Sequence, residues 1–121
     1  MQSPYDVFDL QFLAFLDRGA LRIPRDSKNG RFLGLHARSW RVSRESTVDW
    51  VPAAGTGVVV SFTVFHRQFE QGFPAPYTVA MVELDEGPRL VARLLDPAPR
   101  AGMAVTADFD VKGLVFKPSP P

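Results

Sequence analysis

A chain of 121 residues is long enough for one domain with a hydrophobic core, and about two thirds of its unfolded surface can be buried on folding. Its 45% hydrophobic and 22% charged residues are typical of a globular protein and exclude an intrinsically disordered chain. The net charge is only +1, and the absence of cysteine excludes disulfides, thiolate zinc sites and a cysteine nucleophile.

The beginning of the chain predicts an α-helix. Ser3 is suited to the N-cap, Pro4 to the first helical position, and Asp6 to an acidic first turn. Gly19 is predicted to end the helix. The same N-terminus has acidic residues where a signal peptide needs basic ones, and the chain has no run of eighteen apolar residues. We therefore expect a cytoplasmic protein without a membrane partner.

The predicted helix is apolar on two sides. One stripe at helical spacing consists of Phe8, Phe12, Phe15 and Leu16. Much of the remaining circumference is covered by Val7, Leu10 and Leu13. Such a helix needs two surfaces to cover it. Either it lies in a groove between two parts of its own chain, or the face with Phe8, Phe12 and Phe15 contacts another protein.

The positive charge of the chain is concentrated in its middle segment. Residues 18–50 contain eight basic residues against three acidic ones, whereas residues 51–121 contain six against seven. A negatively charged partner is therefore expected to meet residues 18–50.

After Trp50 the pattern changes to strands. Five β-branched or aromatic segments follow one another: TGVVVSFTVFHRQF, YTVAMVEL, RLVARLL, AVTADFDV and LVFKP. Turn residues separate them, as in Asp85-Glu86-Gly87 and Lys112-Gly113. Five strands, the first long enough to bend, predict a small barrel of the OB type. A two-sheet sandwich is the alternative, but it requires more strands.

Several blocks of this sequence resemble a known family. WVPAAGTGVVVSFTVFHR, PYTVAMVELDEGPRL, GMAVTADF and the closing LVFKP are similar to the zinc-ribbon OB-fold proteins of domain of unknown function family thirty-five, the acyl-CoA-associated OB-fold proteins. The resemblance covers nearly the whole chain. It implies an N-terminal helix in residues 1–19, a rubredoxin-like ribbon in residues 20–50 and an OB barrel in residues 51–121.

The resemblance also implies a function. Members of the family are accessory subunits that associate with thiolase-superfamily enzymes, including thiolases, hydroxymethylglutaryl-CoA synthase and lipid-transfer-protein-type aldolases. They help to hold the partner together and to accommodate the CoA part of its substrate. By this resemblance the present chain is a non-catalytic subunit, with no cofactor of its own and with a CoA thioester as a ligand shared with the partner.

The zinc ligands of the family pattern are missing. The Cys-x-x-Cys-Gly knuckle of the family falls on Asp26, Asn29 and Gly30, and the second cysteine pair falls on Trp40 and Ser43. Asp, Asn, Trp and Ser do not make a structural zinc site, which needs thiolates or imidazoles. We therefore expect a degenerate ribbon without metal.

Something must replace the missing zinc, because a structural zinc contributes on the order of 10 kcal/mol to the folding of such a ribbon. Trp40 is the suggested replacement, with Phe32, Leu33 and Leu35 beneath it. The alternative is a loosely ordered basic loop.

Candidate ligand contacts lie in two places. His66 and Arg67 end the long first strand, with Phe73 and Tyr77 nearby, and suit a phosphate or a thioester carbonyl. The basic segment adds Arg25, Lys28, Arg31 and Arg38. The alternatives are an exposed strand end for the first group and an acidic surface of the partner enzyme for the second.

The sequence gives little support to an active site or to nucleic-acid binding. Ser61 lies in a strand interior, and the acidic residues Glu83, Asp85 and Glu86 are interpreted as solvated charges of a hairpin turn.

Binding of single-stranded nucleic acid is the second functional hypothesis, because OB barrels often combine basic grooves with aromatic stacking. The acidic balance of the barrel segment argues against it.

Overall fold

The computed structural model describes residues 7–33, 48–66 and 76–120. Within these ranges it contains one helix, α1 (Val7–Asp17), and seven strands. The strands are β1 (Arg22–Asp26), β2 (Val48–Pro52), β3 (Thr56–Phe65), β4 (Tyr77–Leu84), β5 (Arg89–Leu94), β6 (Ala104–Asp110) and β7 (Gly113–Pro118). The chain is thus mainly β with an N-terminal helix, as the sequence predicted. None of the described helical residues forms a segment long and apolar enough to cross a bilayer.

The five C-terminal strands close into a barrel in the order β3-β4-β5-β7-β6. All neighbouring pairs are antiparallel except β5 and β7, which are parallel. These are the five strands that the sequence predicted, so the OB barrel is confirmed and the sandwich alternative is wrong.

The barrel core follows from the alternation of side chains along the strands. In β4 the residues Thr78, Ala80, Val82 and Leu84 are buried, whereas the residues between them are only half-buried. Their buried neighbours from other strands include Val59, Val105 and Phe116. Since each buried aliphatic or aromatic side chain contributes about 1.5–3 kcal/mol, this set dominates the stability of the barrel.

A β-bulge changes the orientation of β3 in the middle of the strand. Val58 lies opposite Glu83 and Val59 opposite Val82, but the next matched pair is Ser61 with Met81. Val60 is therefore the extra residue, and beyond it the odd-numbered residues point outward. As a result Phe65 lies opposite Tyr77 on the outer face of the barrel.

The helix and the first two strands pack onto the barrel. β1 and β2 form an antiparallel hairpin, and Leu21 and Ile23 join the barrel core. The helix contacts both β1 and β7, so it lies between the hairpin and the barrel. The turn that ends it contains Gly19, which has a φ of 73°, and Ala20 N–H donates to the Phe15 carbonyl. This Schellman arrangement confirms the predicted stop, while the predicted start at Ser3 and Pro4 lies outside the described residues.

The turn after β1 is held by its own side chains. Asp26 is buried, and its carboxylate accepts a hydrogen bond from Lys28 N–H at 2.8 Å. Asn29 accepts one from Arg31 N–H at 2.8 Å, and Gly30 N–H donates to the Asp26 carbonyl. The first pair of predicted vestigial ligand positions thus forms two Asx turns.

The rest of the predicted ribbon can be placed only in part. Phe32 packs against the barrel core and Leu33 is half-buried, whereas Leu35, Trp40 and Ser43 lie outside the described residues. No cluster of acidic, histidine or cysteine side chains suited to a metal occurs in the described ranges. The metal-free ribbon stays a prediction, as does the division into three domains, whose boundary after residue 50 falls within β2.

Gly57 is expected to be essential for barrel closure. A Cβ at this position would lie 2.4 Å from the Glu83 carbonyl oxygen, so Gly57→Ala must push β3 away from β4. We expect a loss of about 1–3 kcal/mol in the free energy of unfolding, measured in urea. The neighbouring, outward-pointing Val58→Ala is the control and should cost less. Equal stability of Gly57→Ala and the wild type would contradict the close approach.

The Asp26 turn gives a second prediction. Asp26→Ala removes the acceptor of the Lys28 N–H and should cost about 1–3 kcal/mol of unfolding free energy, whereas Asp26→Asn keeps an acceptor and should cost less. Addition of a metal chelator should not change the unfolding free energy of either variant. Stoichiometric zinc in the purified protein, or full stability of Asp26→Ala, would show that the turn is held in another way.

Candidate functional site

Two of the predicted ligand contacts lie at the same end of the barrel. His66 is exposed directly after β3, and Tyr77 is the first residue of β4. Phe65 stacks on Tyr77 with ring centroids 5.0 Å apart and an interplanar angle of 18°. Arg67 and Phe73, predicted beside them, belong to residues 67–75, which lie outside the described ranges.

Tyr77 borders a cleft of about 320 Å³. Its walls are residues 76–78 at the start of β4, residues 93–96 at the end of β5, and Lys112 in the turn between β6 and β7. This is the region that OB folds commonly use for binding, and the volume lies at the lower end of the range for small-molecule sites. Sequence reasoning found Tyr77 but missed Arg93, Asp96 and Lys112, which only the barrel topology brings to it.

The charges around this cleft are balanced within the chain. The Arg93 guanidinium donates to both oxygens of Asp110, at 2.6 and 2.7 Å. This hydrogen bonding, together with a bond from Lys112 N–H, lowers the pKa of the Asp110 carboxyl below its usual value. The positive charges of Arg93 and Lys112 are thus balanced by the negative charges of Asp96 and Asp110. A cleft of this kind suits the uncharged part of a ligand better than a phosphate.

The other predicted ligand contacts lie on the hairpin rather than on the barrel. Arg25 is a half-buried residue of β1, and Lys28 and Arg31 are exposed in the turn that follows. Arg38 lies outside the described residues. The predicted set therefore falls into two groups, one at the cleft and one in the basic turn.

The predicted partner-binding residues of the helix make contacts within the chain. Phe12 and Leu16 pack against the barrel core, and the Phe15 ring lies 5.5 Å from that of Trp50. The Arg22 guanidinium carbon lies 5.6 Å from the Phe15 centroid. These contacts fit the alternative of a groove within the chain. The partner interface at Phe12 and Phe15 stays a prediction, and the side chain of Phe8 is outside the described part.

The acidic turn between β4 and β5 is not merely solvated. The Thr56 hydroxyl is hydrogen-bonded to the Asp85 carboxylate, and Ala54 N–H donates to Glu86 at 2.8 Å. Glu83 pairs with Arg89 at 3.2 Å. Asp85 is exposed and Glu83 is half-buried, so the charges of these two residues are solvated, whereas one carboxylate oxygen of Glu86 is buried. Asp85 and Glu86 in addition fasten the link between hairpin and barrel.

Comparison with known proteins places the chain in a family. The family described as "ChsH2, C-terminal OB-fold domain" matches residues 50–110. A solved structure described as "Ltp2-ChsH2(DUF35) aldolase" matches with a TM-score of 0.76 and 31% identity, over 97% of this chain and 98% of the matched chain. The likeness thus includes the helix and the hairpin as well as the barrel.

Two curated relatives are much longer than this chain. A "Probable enoyl-CoA hydratase alpha subunit" of Thermomonospora curvata is 43% identical in a match that covers 60% of this chain and 26% of the relative. The "3-oxo-4,17-pregnadiene-20-carboxyl-CoA hydratase alpha subunit" of Mycobacterium tuberculosis is 31% identical in a match that covers 78% of this chain and 38% of the relative. The chain therefore corresponds to a part of these subunits. With its closed barrel, hairpin and helix, it belongs to the DUF35 family of OB-fold proteins.

Proposed function

We propose that this chain is an accessory subunit that binds a thiolase-superfamily enzyme. The supporting observation is its end-to-end likeness to a chain of the Ltp2-ChsH2(DUF35) aldolase, whose description joins a DUF35 protein to a second protein, Ltp2. The chain has no cysteine, so the nucleophile of a thiolase-type reaction has to come from the partner.

Co-expression tests this assignment. Co-expressed with candidate thiolase-superfamily enzymes from its gene neighbourhood, the chain should co-purify with one of them as a complex of fixed stoichiometry, measured by size-exclusion chromatography with light scattering. An unrelated thiolase serves as the control and should not bind. A chain that stays free beside every neighbouring candidate, yet binds single-stranded oligonucleotide in a salt-sensitive manner, would support the nucleic-acid alternative instead.

We further propose that the subunit supports binding of an acyl-CoA. The cleft beside Tyr77 combines apolar walls from Pro76 and Leu95 with balanced charges. It therefore suits the uncharged pantetheine arm of CoA. The phosphates of CoA are assigned to the basic turn with Lys28 and Arg31 and to the partner enzyme. The names of both curated relatives refer to acyl-CoA hydratases, which supports an acyl-CoA ligand.

Leu95→Glu tests the cleft. Leu95 is 46% exposed on its wall, so the chain should tolerate glutamate there, but a bound ligand would cover the new charge. We expect the Kd of the purified complex for CoA, measured by calorimetry, to rise about tenfold or more. Val111→Glu is the matched control, because Val111 is fully exposed and is not a wall residue of this cleft. An unchanged Kd in an intact Leu95→Glu complex would exclude the cleft.

A further inference from the structure

The outer side of β3, β4 and β5 carries an apolar surface that no role described so far explains. We define this outer face by five residues: Phe65, Tyr77, Val79, Met81 and Val91. The strand register brings them together, because Phe65 lies opposite Tyr77 and Met81 lies opposite Val91. Val91 is 59% exposed, and the other four are half-buried. A group of neighbouring apolar side chains on the outer side of a small domain is a candidate binding surface.

The charged side chains at the borders of the outer face are already matched within the chain. At one end, Glu83 accepts a hydrogen bond from Arg89 at 3.2 Å. At the other end, Arg93 holds Asp110 with two hydrogen bonds and is only 16% exposed. Both arginines are therefore neutralised, and the described part of this face offers no excess charge. An occupant that complements it must itself be apolar and uncharged.

These properties favour a protein over a nucleic acid. A nucleic acid needs cations for its phosphates and free ring faces for its bases. Here the arginines are paired, and Phe65 and Tyr77 stack on one another. By contrast, the cores of protein interfaces are poor in charge and rich in aromatic residues and methionine. The apolar side chains of the outer face, among them Phe65, Tyr77 and Met81, have this composition, and the exposed Ser61 and Thr63 of β3 border them.

The helix offers less surface for the same purpose. Phe12 and Leu16 pack on the barrel core, Phe15 packs against Trp50, and Trp50 also donates from its indole to Gln11 at 2.9 Å. Leu13 is the large exposed apolar side chain among the helical residues whose side chains are described. The outer face presents several adjacent apolar side chains instead.

We therefore propose that the outer face docks onto an apolar, uncharged surface of the thiolase-superfamily partner. This inference rests on the proposed function and specifies the interface. Tyr77 belongs both to this face and to the wall of the cleft. A partner docked here stands beside the cleft, so the acyl-CoA is bound where the two proteins meet.

Val91→Glu tests this docking surface. A carboxylate on Val91 is solvated in the free chain but would be desolvated in the complex, where the neighbouring Arg89 and Arg93 already pair with Glu83 and Asp110. We expect the Kd for the partner enzyme, measured by calorimetry or surface plasmon resonance, to rise at least about tenfold. Val111→Glu introduces the same charge on the β6–β7 turn and should bind like the wild type. Val91→Thr, which keeps the β-branched shape, should weaken binding less and guards against a folding defect of the glutamate variant.

The outcomes separate this surface from the proposed function. If the wild type binds the enzyme and both Val91 variants bind equally well with unchanged melting temperatures, the outer face is not the interface. If the free wild-type chain is a dimer that Val91→Glu dissociates, the occupant is a second copy and the proposal is wrong. If the wild type binds no thiolase-superfamily enzyme, the proposed function itself fails.

Discussion

The close approach of three strands at Gly57 is the constraint on which the rest of the barrel depends. Gly57 lies opposite Leu84 of β4 and opposite Val105 of β6, so at this point one residue of β3 is paired on both sides. No side chain fits between the strands there, because a Cβ would meet the Glu83 carbonyl. Closure of the barrel at this point separates its core from solvent. It also fixes the register from which the bulge at Val60 turns the second half of β3.

The bulge decides which residues are available to other molecules. With unbroken alternation, Phe65 would point into the barrel together with Val59, because their positions in the chain differ by an even number. The extra residue moves Phe65 outward to stack on Tyr77. One inserted residue thus creates the aromatic end of the outer face, beside Tyr77 at the cleft. This agrees with the general use of bulges near binding sites.

Local sequence patterns were sufficient to predict the helix and the strands but not the residues that surround the cleft. The β-branched and aromatic residues of YTVAMVEL predicted strand β4, and Gly19 predicted the end of the helix. The pair between Arg93 and Asp110 joins residues 17 positions apart, and Lys112 reaches the cleft only because β7 pairs with both β5 and β6. Such approaches are set by barrel closure, so no short stretch of sequence contains them. The same holds for Asp85 and Glu86, whose partners Thr56 and Ala54 precede β4.

The distribution of charge is the reason why the proposed acyl-CoA site includes a partner protein. Both the cleft and the outer face have their charges matched internally, so neither attracts an anionic ligand by long-range electrostatics. The exposed basic residues lie instead in the hairpin turn, which hydrogen bonds from Asp26 and Asn29 hold in shape. A ligand that needs both an uncharged channel and bound phosphates therefore gains little from the barrel by itself. In the proposed complex, the additional affinity comes from a partner surface that covers the cleft, and the apolar face beside Tyr77 is where we propose that this surface docks without leaving a charge unpaired.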